Sequence, residues 1–306
     1  SGYYVSQDPF GNSGDFITSP EISQCFGEII ALYCLHYFQN IPELQIIELG
    51  PGRGVLMQDM LRVFRKFPDF YNKITIHMVE ISPRLRKVQA ENLAEFELKI
   101  SHYDEFSQIP IKPSFIISNE LLDCLPMQQF QYQNSRWLER KVNMAKELHF
   151  VLQESSSCAF VNKFLSGKNQ DGDIFEFSLS SVNLIKQISE FVVSTNSRSL
   201  IIDYGYTEYD FKPTLQALKD HKYQNIFKNI GHQDLTYRVN FKMICDSLKE
   251  AGYNFAITTQ GDFLLSLGIK QRIDACKKGK DESMAHKLDM ALKRLTDADQ
   301  MGELFK

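Results

Sequence analysis

The sequence predicts an α/β chain built on a doubly wound, mostly parallel sheet. Three observations lead there. Apolar runs of strand length alternate with stretches of helical periodicity across residues 44–118. A glycine-rich turn, Gly50-Pro51-Gly52-Arg53-Gly54, separates the first such run from the helix after it. Acids close several of the runs: Glu48, Glu80 and Asp203. Strands alternating with helices imply parallel pairing through right-handed crossovers, and such sheets bind ligands outside the carboxyl ends of their strands.

Residues 1–20 read as a loop punctuated by glycine and proline, from Asp8-Pro9-Phe10-Gly11 to Gly14-Asp15-Phe16. Ser19 as a cap, Pro20 at the first helical position and Glu21 in the first turn predict a helix start. Ile22, Phe26, Ile29, Ile30 and Tyr33 then recur at helical spacing. Strands are expected at Gln45–Leu49, Ile74–Val79, Leu98–Ser101, Ser114–Ser118 and Ser199–Asp203, with late strands at Tyr253–Thr258 and near Phe263. Helices are expected over Val55–Phe67 and from Pro83 to about Phe96. Two stretches break the rhythm. Residues 127–198 hold alternating segments, Gln129–Tyr132, Trp137–Val142 and Leu148–Leu152, that suggest antiparallel hairpins, then a helix near Leu184–Val193. Residues 205–242 form a long polar excursion, and connections that long are usually functional or disordered. The expected organisation is therefore a core of residues 1–126 and 199–306, with insertions 127–198 and 205–242 as a cap on the substrate side.

Composition narrows the function classes. With 34 Lys+Arg against 38 Asp+Glu the net charge is −4, so no basic excess points to nucleic acid. The longest apolar stretch, Phe26 to Phe38, is interrupted by Glu28 and His36 and is too short to span a bilayer, which predicts a soluble intracellular protein. The chain begins at Ser1 without methionine, which suggests an upstream segment or a tag. No two of the six cysteines form a C-x-x-C pair and the seven histidines fall outside ligand spacings, so no metal site is expected and the thiols read as reduced and mostly buried. Oligomeric state leaves no mark in the sequence.

The turn at Glu48-Leu49-Gly50-Pro51-Gly52-Arg53-Gly54 is the strongest local signal. Glycines there let the backbone approach a ligand and adopt positive φ. A dinucleotide fingerprint, G-x-G-x-x-G, would put its third glycine at Val55, whereas the spacing here is G-x-G-x-G. Glu48 would repel a pyrophosphate but attract the ammonium and sulfonium of S-adenosylmethionine. Glu80, ending the second strand, suits ribose hydroxyls. The predicted cofactor is S-adenosyl-L-methionine, held by Glu48, Gly50, Gly52, Gly54, Glu80 and Asn119.

Ser118-Asn119-Glu120-Leu121-Leu122-Asp123 ends the fourth strand, where the transferable methyl group would lie. Glu120 and Asp123, three apart, share a face if the segment turns helically; alternatively Glu120 caps a helix and Asp123 is solvated. Asp203, before Tyr204, is either a third site acid or a buried acid satisfied by backbone N–H groups. His221 and His232 lie in the polar excursion, where a histidine is more often a surface residue than a base.

These segments resemble the MidA-like methyltransferases. The resemblance covers nearly the whole chain: Gly14-Asp15-Phe16, Thr18-Ser19-Pro20-Glu21, the glycine turn, Val79-Glu80-Ile81-Ser82-Pro83, Asn119 to Pro126, Trp137-Leu138-Glu139-Arg140 and Ile202-Asp203-Tyr204-Gly205. Downstream it takes in Thr214-Leu215-Gln216-Ala217, Asp234-Leu235-Thr236, Gln260-Gly261 with Phe263-Leu264, and Met301 to Lys306. The family's mitochondrial members are complex I assembly factors that symmetrically dimethylate an arginine of a complex I subunit. The resemblance thus implies a Rossmann-like methyltransferase sheet, a protein substrate, and a place in the cytoplasm of a bacterium or in the mitochondrial matrix. Two departures bear on substrate: Pro213 stands where the family usually has an acid, and Asn240 where it has aspartate. The family also usually has a short helical segment before the tyrosine pair, which this chain lacks.

Arginine methylation is the leading expectation. Guanidinium is a poor nucleophile because it stays protonated and delocalised. Paired carboxylates can concentrate its charge on one nitrogen and leave another richer in electrons. Glu120 and Asp123 are the candidate clamp, with Asp203 or Asp15 as a further carboxylate; Asp15, Glu21, Tyr204, His221 and Asp234 are candidate substrate contacts. The rivals are a methyltransferase of small molecules, a non-catalytic assembly scaffold that binds the cofactor, and, more distantly, a dinucleotide oxidoreductase.

Overall fold

The computed structural model describes residues 18–165, 167, 169–219 and 222–306, so Asp15 and His221 lie outside the described residues. The chain forms two compact units. The first comprises the described residues of Ser1–Leu121 with Gln187–Tyr204 and Ala256–Lys306; the second comprises Leu122–Lys186 and Gly205–Phe255.

In the first unit, α1 (Ser19–Ile22) and α2 (Gln24–Phe38) precede β1 (Leu44–Leu49) and α3 (Val55–Phe64). Then come β2 (Ile74–Val79), α4 (Pro83–Leu93), β3 (Ile100–Tyr103) and β4 (Ser114–Asn119). Every residue of β1 is buried, as expected of the middle strand of a sheet covered on both faces. β9 (Arg198–Ile202) completes a five-stranded parallel sheet in the order β3-β2-β1-β4-β9. The order reverses at β1, whose two neighbours are β2 and β4. β1 and β2 run in register from Leu44 opposite Ile74 to Leu49 opposite Val79, which brings the glycine turn beside Glu80.

Phe26, Ile30 and Cys34 of α2 pack with Leu56, Met60 and Phe64 of α3 over Ile46, Ile76, Phe115 and Ile117 of the sheet. Burying each such side chain contributes about 1.5–3 kcal/mol, and this layer fixes the carboxyl edge of the strands. The same core takes in Leu264, Ile269, Ile273, Leu295 and Phe305 from the C-terminal helices.

The start of this unit differs from expectation. Thr18 occupies the cap position of α1 and no side chain caps it; the Ser19 hydroxyl donates instead to Oε1 of Gln260 at 3.2 Å. Ser23 is extended and breaks the helix, and its hydroxyl accepts from the Cys25 N–H to open α2. Serine competes in this way for backbone groups and so favours such breaks. The late strands are also absent: residues 253–258 form no strand, and Phe263 lies in a helix, Gln260–Ser266. Thr259 caps that helix by accepting from the Asp262 N–H. The third strand falls at Ile100–Tyr103, two residues after the predicted start.

In the second unit, β5 (Gln128–Gln133), β6 (Arg136–Met144) and β7 (Leu148–Gln153) form the expected antiparallel hairpins. β8 (Ile174–Phe177), which the alternation did not reveal, pairs with β5 to give the order β7-β6-β5-β8. The helix expected near Leu184–Val193 is longer, Leu179–Thr195, and carries the chain from the second unit back into the first. The polar excursion is structured. β11 (Gln216–Lys219) pairs antiparallel with β12 (Lys222–Gln224) and β13 (Asp234–Thr236), and β10 (Gly205–Tyr206) pairs parallel with β14 (Val239–Asn240). Tyr237, Val239 and Phe241 are buried there, so the segment has an apolar side that its overall polarity conceals.

Candidate functional site

In the first unit the glycine turn follows β1. Gly50, Gly52 and Gly54 all adopt positive φ, at 63°, 54° and 79°, which glycine alone adopts without strain. A Cβ on Gly50 would stand 2.8 Å from Cδ1 of Leu121, so β4's exit closes directly over the turn. Glu48, one residue before β1 ends, is fully buried. It accepts from the Met57 N–H, its Oε2 has no partner among the described residues, and burial pushes its carboxyl up to about 8. A buried carboxylate oxygen without a donor is costly unless a cation or donor completes it.

Glu80 is buried beside the turn and accepts from the Ser82 N–H at 2.8 Å; burial raises its carboxyl too. Gln89 ties these pieces together. Its side-chain amide donates to the Gly52 carbonyl at 2.7 Å, its Oε1 meets His102 Nε2 at 2.8 Å, and it hydrogen-bonds the Glu80 carboxylate. Sequence reasoning missed Gln89. The signal was present: it lies between Leu85 and Leu93 at four-residue spacing, a polar residue inside the buried stripe of α4.

At the end of β4, the Asn119 amide donates to Glu120 Oε1 at 3.0 Å, and the Ser19 N–H donates to the same oxygen at 2.9 Å. Glu120 has a φ of +54°, unusual for a residue with a side chain and characteristic of functional turns. The Asn119 Oδ1 and the Ser118 hydroxyl are buried without partners among the described residues. Glu21 forms an ion pair with Arg53 of the glycine turn. The short helix α1 thus anchors both edges of the site, Ser19 to Glu120 and Glu21 to Arg53. Neither Ser19 nor Arg53 was among the predicted site residues.

Asp203 directly follows β9, which lies next to β4 with Ile202 opposite Asn119. It is fully buried; its Oδ1 accepts from the Tyr204 N–H at 2.8 Å, and its backbone pairs with Lys306. Tyr204 packs against Phe305 with ring centroids 5.8 Å apart. In the second unit, Asp123 accepts from Thr236 Oγ1 at 3.1 Å and from the Cys124 thiol at 3.3 Å, and burial raises its carboxyl. Asp234 is buried in β13, opposite Leu218 of β11. The Asn119–Pro126 and Asp234–Thr236 segments, more than a hundred residues apart, therefore meet through Asp123 and Thr236.

Do these residues fit the predicted cofactor? S-adenosylmethionine presents an ammonium, a sulfonium and ribose hydroxyls, all of which seek acceptors or negative charge. The unpartnered Glu48 and Asn119 oxygens, the buried Glu80 and the three positive-φ glycines supply that set. They fit.

A family model described as "Putative S-adenosyl-L-methionine-dependent methyltransferase" matches residues 29–259. This chain belongs to that family. The methyltransferase is 32% identical over 335 residues to the Xenopus tropicalis protein named "Protein arginine methyltransferase NDUFAF7, mitochondrial", covering 100% of this chain and 77% of the relative. The Homo sapiens protein of the same name is 30% identical over 336 residues, covering 99% of this chain and 75% of the relative. A Burkholderia thailandensis crystal structure bound to S-adenosyl-homocysteine superposes with a TM-score of 0.83 at 22% identity, over 99% of this chain and 81% of that one, and shares the fold. The chain is thus an S-adenosylmethionine-dependent methyltransferase. No helix among the described residues is long and apolar enough to cross a membrane.

Proposed function

We propose that this methyltransferase acts on arginine in a protein substrate. The carrying observation is the whole-chain similarity to relatives named protein arginine methyltransferases, at 30–32% identity. The cofactor supplies an electrophilic methyl group on a sulfonium. Glu120, oriented by Ser19 and Asn119 on one oxygen, is the carboxylate we assign to the guanidinium. Its charge draws positive charge to the nitrogens it binds and leaves the third nitrogen the better nucleophile. Positioning does the rest: that nitrogen must lie about 3–3.5 Å from the methyl carbon, in line with the bond that breaks. Asp123, Asp203 and Asp15 are the candidates for the second carboxylate, and Glu21, Tyr204, His221 and Asp234 for further substrate contacts. The finer proposal is a respiratory complex I subunit as partner and a mitochondrial or bacterial cytoplasmic setting, in keeping with relatives named mitochondrial.

The test is transfer from labelled cofactor into lysate protein, followed by acid hydrolysis. Labelled methylarginines, symmetric dimethylarginine among them, are expected. Glu120→Gln should lower transfer by about a hundredfold or more while cofactor affinity changes little. Label recovered only in small molecules would overturn the substrate class. Normal transfer by the variant would remove Glu120 from the chemistry.

A further inference from the structure

Away from the cofactor residues, two helices of the first unit face each other across a pair of matched contacts. On α2, Cys25 and Glu28 lie one turn apart; on the helix Ile269–Lys277, so do Arg272 and Cys276. The Arg272 guanidinium holds Glu28 bidentately, Nε to Oε2 at 2.6 Å and one terminal nitrogen to Oε1 at 2.9 Å. Beside that pair the sulfurs of Cys25 and Cys276 stand 3.8 Å apart. The bidentate pair fixes the register of the two helices, and so holds the thiols opposite one another.

We propose that Cys25 and Cys276 are an oxidative modification site that a hydroperoxide converts into an intramolecular disulfide. Cys276, half-buried, reacts first. Its thiolate attacks the peroxide, the O–O bond breaks, an alcohol (water, from hydrogen peroxide) leaves, and Cys276 becomes a sulfenic acid. Cys25 then attacks that sulfur, the S–S bond forms, the S–O bond breaks, and water leaves with the Cys25 proton. Two thiols and one peroxide thus give one disulfide, one alcohol and one water. Burial pushes the Cys25 thiol up to about 12, which makes it a poor first target and leaves it for the second step. Closing the gap to a bond of about 2.05 Å needs a shift of under roughly 2 Å, within side-chain rotation and small helix movement. A metal ion suits the cluster less well, because both Glu28 oxygens are already held by Arg272.

The bridge would join residues 251 apart in sequence. It would therefore compact the denatured chain, and the oxidised protein should run faster on a non-reducing denaturing gel. The experiment treats the full chain with hydrogen peroxide at a few equivalents, then maps disulfide-linked peptides by mass spectrometry. The faster band should appear in the unmodified chain and in Cys124→Ser, which removes an exposed competing thiol. It should be missing in Cys276→Ala and in Cys25→Ser, and dithiothreitol should reverse it. Loop closure should also raise the melting temperature by roughly 5 °C. A sulfinic acid at Cys276 with Cys25 still reduced would overturn the proposal, as would a bridge through Cys124. So would a disulfide that lowers the melting temperature, since the sulfurs would then meet only in a distorted chain.

Discussion

Each unit of this methyltransferase buries a glutamate, and the two are treated in opposite ways. Glu48, in the first unit, has among the described residues one backbone donor, the Met57 N–H, and an oxygen with none. Glu176, in β8 of the second unit, accepts from the Gln129 amide, the Thr214 N–H and hydroxyl at 2.8 and 2.5 Å, and the Leu215 N–H at 3.2 Å. Both are equally removed from water. A buried carboxylate with four donors is a structural tie, because its charge is spread over bonds that the fold itself provides. One with a single donor is an acid kept for a ligand. The Thr214–Ala217 segment, quoted above as part of the family resemblance, thus acts through Glu176 to hold β8 and β11 in place.

The largest expected effect is on the pH dependence of stability. Burial raises Glu48 from 4.5 to about 8, so the folded chain holds a proton that the unfolded chain has released above pH 4.5. The stability associated with that proton is present below about pH 4.5 and is lost as pH rises to about 8. Glu48→Gln, which has no proton to lose, should gain up to about 4 kcal/mol over the parent chain between pH 5 and 8 in denaturant titrations without cofactor. Using the difference cancels Asp59, which burial likewise raises. Parallel pH curves for the two chains would place Glu48 in an ordinary hydrogen-bonded setting and remove the contrast with Glu176.

Glu176→Gln should have nearly as large an effect in the opposite direction, a loss of stability. The amide nitrogen would face the Thr214 N–H and hydroxyl in place of Oε2, or the Leu215 N–H and Gln129 amide in place of Oε1, and leave those donors buried and unpaired, at roughly 3 kcal/mol. Cofactor affinity, measured by calorimetry on the folded variant, should not change. Lost affinity with full stability would reverse the roles assigned to the two acids. Gly50→Ala comes next. It must hold a side chain at a φ of 63° with Leu121 2.8 Å away, at about 1–2 kcal/mol by thermal melting, with weakened cofactor binding. Unaltered binding in a folded variant would make the turn a mere connection.

The smallest effect concerns a departure from the family pattern. Asn240 caps the helix Phe241–Glu250 by accepting from the Met243 N–H at 2.9 Å, and its amide donates to the Glu176 carbonyl at 2.9 Å. Aspartate could cap but not donate. Asn240→Asp should cost about 1 kcal/mol and leave methyl transfer alone. A change of substrate preference would instead make Asn240 a specificity residue.

What was legible in the sequence follows the same division. The strands of the first unit are short, apolar and bounded by glycine, proline and acids, so β1, β2 and β4 could be placed to within a residue. The misreadings have local causes. Phe263 lies in a short apolar run, which does not distinguish strand from helix, whereas residues 253–258 form neither. The Thr259-Gln260-Gly261-Asp262 cap, an N-terminal helix signature, was the signal that could have decided it. In the second unit the informative contacts join distant positions: Asp123 with Thr236, Glu176 with Thr214, Asn240 with the Glu176 carbonyl. Spacing along the chain carries no trace of such pairs. The Ser19–Glu120 bond was missed for that reason, although it holds a residue that was anticipated.

We propose that the Glu48 carboxylate is reserved for the cofactor's positive charge. Calorimetric titration with S-adenosylmethionine at pH 7, in two buffers of different ionisation enthalpy, counts protons released on binding. An acid near 8 must ionise to meet a cation, so the parent chain should release close to one proton more than Glu48→Gln, and bind at least about tenfold tighter. The difference between the two chains removes the contribution of the cofactor's own amine. Equal proton release with equal affinity would contradict the account.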